Sequence, residues 1–377
     1  MTFALLLLLQ APDIAVPADC PDVALRGSLA SSRLAFEGGR GRVAFLGGSI
    51  TEMDGYRPRV MKSLQRRFPA THFDVVSAGI ASTCSTTGAF RLKEDVLDKG
   101  PIDLLFVEFA VNDDQDAHHD RPHCIRGLEG ILRQARLRRP LTDIVVTFFV
   151  NEGMLETLRN GAEPLSSACH EELLVRYEVP GIALHREVAR RIAKGALTWK
   201  QYGGVHPGPD GNQLCANMID VLLDRAWAAP GGAAPHALPE PLDPQSYDAG
   251  RYAAPEEVGL GPGWTVERPD WKSLRGTCRD RFKDLGLTCA STPGAGLTLA
   301  FEGRAAGAYL LAGPDAGAVE ASVDGGPFRR IELKHAHSAG LHYPRTVMFA
   351  EELPRGPHTL RLRLLEGVAR FVKLCVN

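Results

Sequence analysis

Between residues 40 and 227 short apolar runs alternate with segments of helical period. Nearly continuous apolar stretches fall at 42–46, 72–77, 102–110 and 142–150, with a weaker one at 181–184. Between them, "CIRGLEGILRQARLRR" places Ile125, Leu128, Leu132 and Ala135 on one face at a spacing of three to four residues. Apolar strands separated by amphipathic helices predict a parallel sheet covered on both faces, hence an α/β fold of three layers. A last helix over roughly 210–227 closes this half.

Residues 228–262 break the rhythm, with five prolines from Pro230 to Pro244, and predict a linker or extended strap. Beyond it come short strands with turn signals. "HTLRLRLL" alternates with a period of two, as a sheet with one buried face requires. "VDGGPF" supplies the Asp-Gly and Gly-Gly pairs that hairpin turns need for positive φ. The expected organisation is an α/β domain over 19–227, a proline-rich linker over 228–262, and an all-β sandwich of jelly-roll type over 263–377.

Composition adds exclusions. Of 377 residues 44% are hydrophobic and 23% charged, and the formal net charge is −2, so nothing marks a nucleic-acid partner. No run approaches the roughly 20 apolar residues of a membrane span. "FALLLLLQA" at 3–11 has the length of a signal-peptide core, with Val16 and Ala18 as small residues before a cut at Asp19. A basic n-region is missing; residues 1–18 are read as a weak signal peptide and the protein as secreted or periplasmic, with a cytoplasmic location the alternative. The eight cysteines lack zinc-type spacing, and no metal or cofactor is expected. Cys278 and Cys289 are near enough in sequence to bridge after export. Nothing in the chain specifies an oligomeric state.

The chemistry sits where the strands end, which is where open α/β sheets bind ligands. "GGSIT" presents Ser49 after the first strand, and "SAGIAST" places Gly79 after the second. "FAVNDD" puts Asn112 after the third, and "YGGVHPGPDG" sets His206 just before the last helix. Serine, glycine, asparagine and histidine in this order resemble the SGNH (GDSL-type) hydrolase family over about residues 40–227. The resemblance implies Ser49 as nucleophile, His206 as its base, and an oxyanion hole of the Ser49 and Gly79 N–H groups with the Asn112 amide. Two positions depart from the family pattern. The serine block reads GGS instead of GDS, and Gly203 stands where the family has an aspartate three residues before the histidine. A backbone carbonyl of the 202–204 stretch is the expected substitute, with Glu108, Asp113 or Asp210 as the carboxylate alternatives.

Tyr56, Arg57, Asp113 and Asn151 lie near these blocks and are candidate substrate contacts. The expected activity is a serine esterase acting through an acyl-enzyme on an acylated small molecule or polysaccharide, with a carbohydrate O-acetyl ester as substrate. The alternatives are a thioesterase or lysophospholipase-like acyl hydrolase, or a non-catalytic glycan-binding protein whose hydrolase half has decayed.

Overall fold

The computed structural model describes residues 14–228 and 231–377. The apolar block at 3–11 lies outside the described residues. Ile14 and Val16 pack on the core, and Ile14 O accepts a hydrogen bond from Asn217 Nδ2 at 2.8 Å.

Six strands build the first sheet: β1 (Val23–Ala24), β2 (Arg40–Gly47), β3 (His72–Gly79), β4 (Leu104–Glu108), β5 (Asp143–Thr147) and β6 (Gly181–Ile182). Their order is β1-β6-β5-β4-β2-β3, parallel throughout except for the antiparallel edge strand β1, which the apolar pattern does not predict. At two residues β1 is too short to show a period. The central strands β4 and β5 are buried along their whole length, as continuous apolar runs in a covered parallel sheet should be. Helices Ser85–Asp95, Arg121–Arg138 and Leu165–Arg176 pack on one another; helices Ala30–Glu37, Tyr56–Arg67 and Pro209–Trp227 form a second group. The sheet therefore reverses its strand order between β2 and β4, and both strands end in the segments that carry Ser49 and Asn112.

Two antiparallel sheets follow. One has the order β15 (Tyr343–Ala350), β12 (Ala306–Ala312), β17 (Ala369–Val376), β10 (Leu287–Ala290) and β9 (Trp264–Glu267), with β7 (Arg251–Tyr252) also on β17. The other runs β14 (Arg329–Glu332), β13 (Ala318–Val323), β16 (Gly356–Glu366), β11 (Gly296–Gly303) and β8 (Val258–Leu260). Strand β16 alternates buried and exposed positions as its sequence predicts, and its leucines join a core shared by both sheets. The hairpin signal also holds: Asp324 and Gly325 have φ of 51° and 78° between β13 and β14. All eight cysteines are free thiols, Cys278 and Cys289 included.

Strands β7 and β8 fall inside the stretch expected as linker, so strand pairing begins at Arg251 instead of after 262. The preceding strap is extended but anchored. The buried carboxylate of Glu129, on helix Arg121–Arg138, accepts the N–H groups of Leu242 and Asp243 and the hydroxyl of Tyr177. Tyr247 is buried, and its hydroxyl donates to Glu351 of the β domain. Removing a buried acceptor orphans its donors at a cost of about 1–3 kcal/mol. Glu129→Ala is therefore expected to lower unfolding free energy by about 3 kcal/mol in urea and to speed proteolytic cleavage between residues 238 and 246. Unchanged cleavage there would show that the strap is held by its apolar contacts alone.

Candidate active site

Strand β2 ends at Gly47, and the chain turns through Gly48 into the short helix Ser49–Glu52. The turn is fixed by Glu108, the last residue of the adjacent strand β4. Its Oε1 accepts the N–H of Gly48 at 2.8 Å, the N–H of Thr51 at 3.2 Å and the hydroxyl of Thr51 at 2.7 Å. A helix start leaves its first N–H groups without partners, and one buried carboxylate oxygen satisfies two of them here. The Ser49 N–H is not among its donors. Both glycines are explained by contact: a Cβ on Gly47 would strike the Glu108 carboxylate, and one on Gly48 would strike the Asn112 amide. The GGS spelling thus matches an Asn112 side chain packed directly on the turn.

Ser49 is half-exposed, and its Oγ lies 2.8 Å from Nε2 of the exposed His206. The His206 loop is set by its backbone. Asn212 Nδ2 donates to the carbonyls of Pro207 at 2.5 Å and Gly208 at 3.0 Å, and Gly208 N–H donates to Tyr202 O at 2.8 Å. Among the described residues, the bond to Ser49 is the one hydrogen bond of His206; none joins it to a carboxylate or to a carbonyl of residues 202–204. Gly203 caps helix Trp199–Tyr202 at φ 106°, and a Cβ there would collide with the Gly208 backbone. An aspartate does not fit this position in this loop.

Gly79 ends β3 beside the nucleophile turn, and a Cβ on it would strike the Thr51–Glu52 backbone. Glycine is needed there for close approach to the helix that carries Ser49. Asn112 is buried; one Nδ2 hydrogen goes to Asp116 Oδ2 at 2.6 Å, and Oδ1 has no partner. The structure thus joins Ser49 to His206 and packs Gly79 and Asn112 against the turn that carries Ser49.

The four expected substrate contacts are placed otherwise. Tyr56 is buried with its hydroxyl 3.0 Å from Thr51 Oγ1, because its helix turns that face inward. Asp113 is fully buried, accepting Ser85 N–H at 2.8 Å and standing 2.9 Å from His170 Nε2. Burial opposes its ionisation, yet His119 and His170 hold its carboxyl well below the usual range. Asn151 caps helix Glu152–Arg159 by accepting Met154 N–H, and its Nδ2 donates to Asp114. Arg57 braces the loop after the nucleophile, donating to Ser77 Oγ at 2.6 Å and to the Glu52 carbonyl at 3.0 Å. These residues support the turn and its neighbours through the bonds named, with Arg57 Nε left without a partner.

The β domain contributes residues that the sequence does not point to. Arg281 donates to Gly79 O at 2.9 Å and pairs with Glu52, whose other oxygen accepts Ala81 N–H. Arg279 donates to Ala81 O at 2.9 Å and Ser82 Oγ at 2.8 Å. His335 Nε2 meets the carbonyl of Asp116, the residue that holds Asn112. A cavity of about 360 Å³ opens between the domains, bounded by Ser82, Asp116, His119, His335, Tyr343 and Arg345. The rings of His335 and Tyr343 stack on each other at 4.0 Å in its wall. Among the described residues two groups have a composition that could hold a metal: Cys84, Asp113 and His119, and Cys20, Asp22 and Glu187. In the second, Arg190 and Arg191 already neutralise the carboxylates.

Residues 45–214 match the family model of the GDSL-like Lipase/Acylhydrolase family. Among solved structures the chain is similar to a two-domain esterase (CEX) active on acetylated mannans, co-crystallized with mannopentaose. The TM-score is 0.76 at 22% identity over 94% of this chain and 96% of that one. A second crystal structure of a two-domain esterase (CEX) active on acetylated mannans gives the same values, a TM-score of 0.76 at 22% identity over 94% and 96%. At this identity the likeness establishes the two-domain fold. A search of curated protein sequences finds no match.

Burial pushes the Glu108 carboxyl up to about 7, against the pull of its three donors. From an ordinary value of 4.5 up to about 7 the folded chain keeps a proton that the unfolded chain has lost. Stability from this group is therefore greatest below 4.5 and falls as pH rises through the window, by about 3 kcal/mol in all. Glu108→Gln keeps an acceptor at Oε1 and removes the titration. The difference in unfolding free energy between wild type and variant should shift in the variant's favour by about that amount between pH 4.5 and 7.5. A difference independent of pH would place the carboxyl at its ordinary value.

Proposed function

We propose that this chain, whose residues 45–214 form a GDSL-like lipase/acylhydrolase domain, is a serine esterase that removes acetyl groups from carbohydrate. The observation that carries this is the 2.8 Å approach of Ser49 Oγ and His206 Nε2 at the strand ends of that domain. With Nε2 unprotonated, Ser49 donates its proton along this bond as Oγ attacks the ester carbonyl. The negative oxygen that forms meets the Ser49 N–H, the Gly79 N–H and the remaining hydrogen of Asn112 Nδ2. Collapse returns the proton from His206 to the departing sugar hydroxyl. Water, activated by the same imidazole, then hydrolyses the acetyl-enzyme. Among the described residues no carboxylate bonds to the His206 ring; the loop that carries it is held by Asn212 and the Gly203 cap.

Several features favour a glycan. The nucleophile and base stand at an open surface, His206 being exposed, which suits an ester carried on a long polymer. The interdomain cavity, which is lined by Asp116, the partner of Asn112, is walled largely by polar side chains and a stacked His335–Tyr343 pair. The fold is shared over both domains with an esterase active on acetylated mannans. Jelly-roll packing of the two antiparallel sheets and export from the cytoplasm belong to the same reading.

Acetate release from acetylated mannan and xylan is the direct assay. Ser49→Ala and His206→Ala should each lower kcat at least about a thousandfold, and the double variant should be no worse than either, since the two act as a unit. A double variant clearly worse than both would overturn the dyad. Activity rising with acyl length beyond acetyl would instead favour the thioesterase or lysophospholipase reading, and a wild-type chain releasing no acetate the non-catalytic one.

The Gly203 position gives a second test. Restoring the family's acid by Gly203→Asp should fail, because a side chain at φ 106° must displace the Gly208 backbone. The variant should lose about 1–3 kcal/mol of stability and gain nothing in kcat. Higher kcat in a variant that melts like wild type would show that the loop accepts a triad acid.

A further inference from the structure

Cys84, Asp113 and His119 come from three separate segments, and their ligand atoms lie within 4.8 Å of one another. Asp113 has no exposed surface, and the His119 side chain is nine-tenths buried. His119 Nδ1 is buried without a hydrogen-bond partner and faces Asp113 Oδ1 at 3.5 Å. The loop is closed to bring this about: His118 takes a left-handed φ of 48°, and His119 N–H donates to Asp113 O at 2.8 Å.

Each of the three groups is also held from behind. Thr86 Oγ1 stands 3.4 Å from His119 Nε2, leaving Nδ1 as the inward atom. His170 Nε2 meets Asp113 Oδ2 at 2.9 Å, while Oδ1 accepts Ser85 N–H at 2.8 Å and faces His119. Thr87 Oγ1 lies 3.8 Å from Cys84 Sγ. Outer partners of this kind orient metal ligands and set the imidazole tautomer. A thiolate, an imidazole and a carboxylate suit a borderline-soft divalent ion, and three protein ligands leave a tetrahedral ion one open position. Cys84 and His119 also line the interdomain cavity, which supplies both an entry path and space for that fourth ligand.

We propose that Cys84, Asp113 and His119 form a binding site for Zn²⁺ or a chemically similar divalent ion, with one coordination position open to the interdomain cavity. Binding releases the thiol proton and gives His119 Nδ1, which has no hydrogen-bond partner, the ion as its partner. The ion ties the start of helix Ser85–Asp95 to helix Ala110–Gln115, on which Asn112 precedes Asp113. The site takes no part in the Ser49–His206 chemistry and stands independently of it.

The test uses the full chain, stripped with a chelator and dialysed. Titration with Co²⁺ should give one equivalent per chain with a thiolate-to-cobalt charge-transfer band, reversed by Zn²⁺. Zn²⁺ should also raise the unfolding temperature. Cys84→Ser and His119→Gln should weaken binding at least about a hundredfold, since loss of an outer partner alone costs 10–100-fold. No charge-transfer band, or one that survives in a folded Cys84→Ser chain, overturns the site. If that variant does not fold, alkylation of Cys84 in the wild-type chain, located by peptide mapping, decides the point. Protection by Zn²⁺ supports the site, and alkylation unaffected by Zn²⁺ overturns it.

Discussion

The carboxylate of Glu108 is the constraint around which the crevice is arranged. One oxygen collects two backbone N–H groups and a hydroxyl from the turn after β2, so the path of residues 48–51 is set from the neighbouring strand. That path explains why Gly47 has no side chain and why Ser49 emerges toward His206. Desolvation of a carboxylate is expensive, and here burial pushes its ionisation up to about 7. A buried acid in this protein therefore serves geometry, setting the turn that carries Ser49.

The second dependence is between domains. Arg281 and Arg279 reach from the β domain to Glu52, Gly79, Ala81 and Ser82, so the peptide after β3 is pinned by residues of another domain. Charge-assisted bonds to backbone carbonyls restrict the direction of those peptides, and a preorganised oxyanion site needs such restriction. Phe282, Leu287, Tyr309 and Cys375 of the β domain also belong to the apolar cluster of the α/β domain. The β domain thus buttresses the crevice as well as walling its adjoining cavity.

Asp113 shows how one residue can be reassigned by its surroundings. Next to Asn112 in the chain, it points the opposite way, into a buried set with His170, His119 and Cys84. Helical geometry makes this ordinary: neighbours in sequence are about 100° apart on a helix, so only one of them faces the crevice.

The amino-acid sequence by itself determined the parallel α/β sheet, the antiparallel β half, and the four blocks at strand ends. Apolar runs and alternation report burial directly, and strand-end placement follows from chain order. Ser49, Gly79 and Asn112 are legible because each sits where a strand stops, and His206 because it immediately precedes the last helix. Only the tertiary structure decided which polar groups meet. Tyr56, Arg57, Asp113 and Asn151 are near the blocks in sequence yet are turned inward or spent on capping and bracing. Arg281 is 229 residues from Glu52 and carries no local signal. The unsuitability of Gly203 for an acid is equally invisible in one dimension, since it arises from a left-handed φ and a backbone that returns against it. Local pattern encodes what is buried; long-range packing decides which side chains face one another, and the chemistry depends on that.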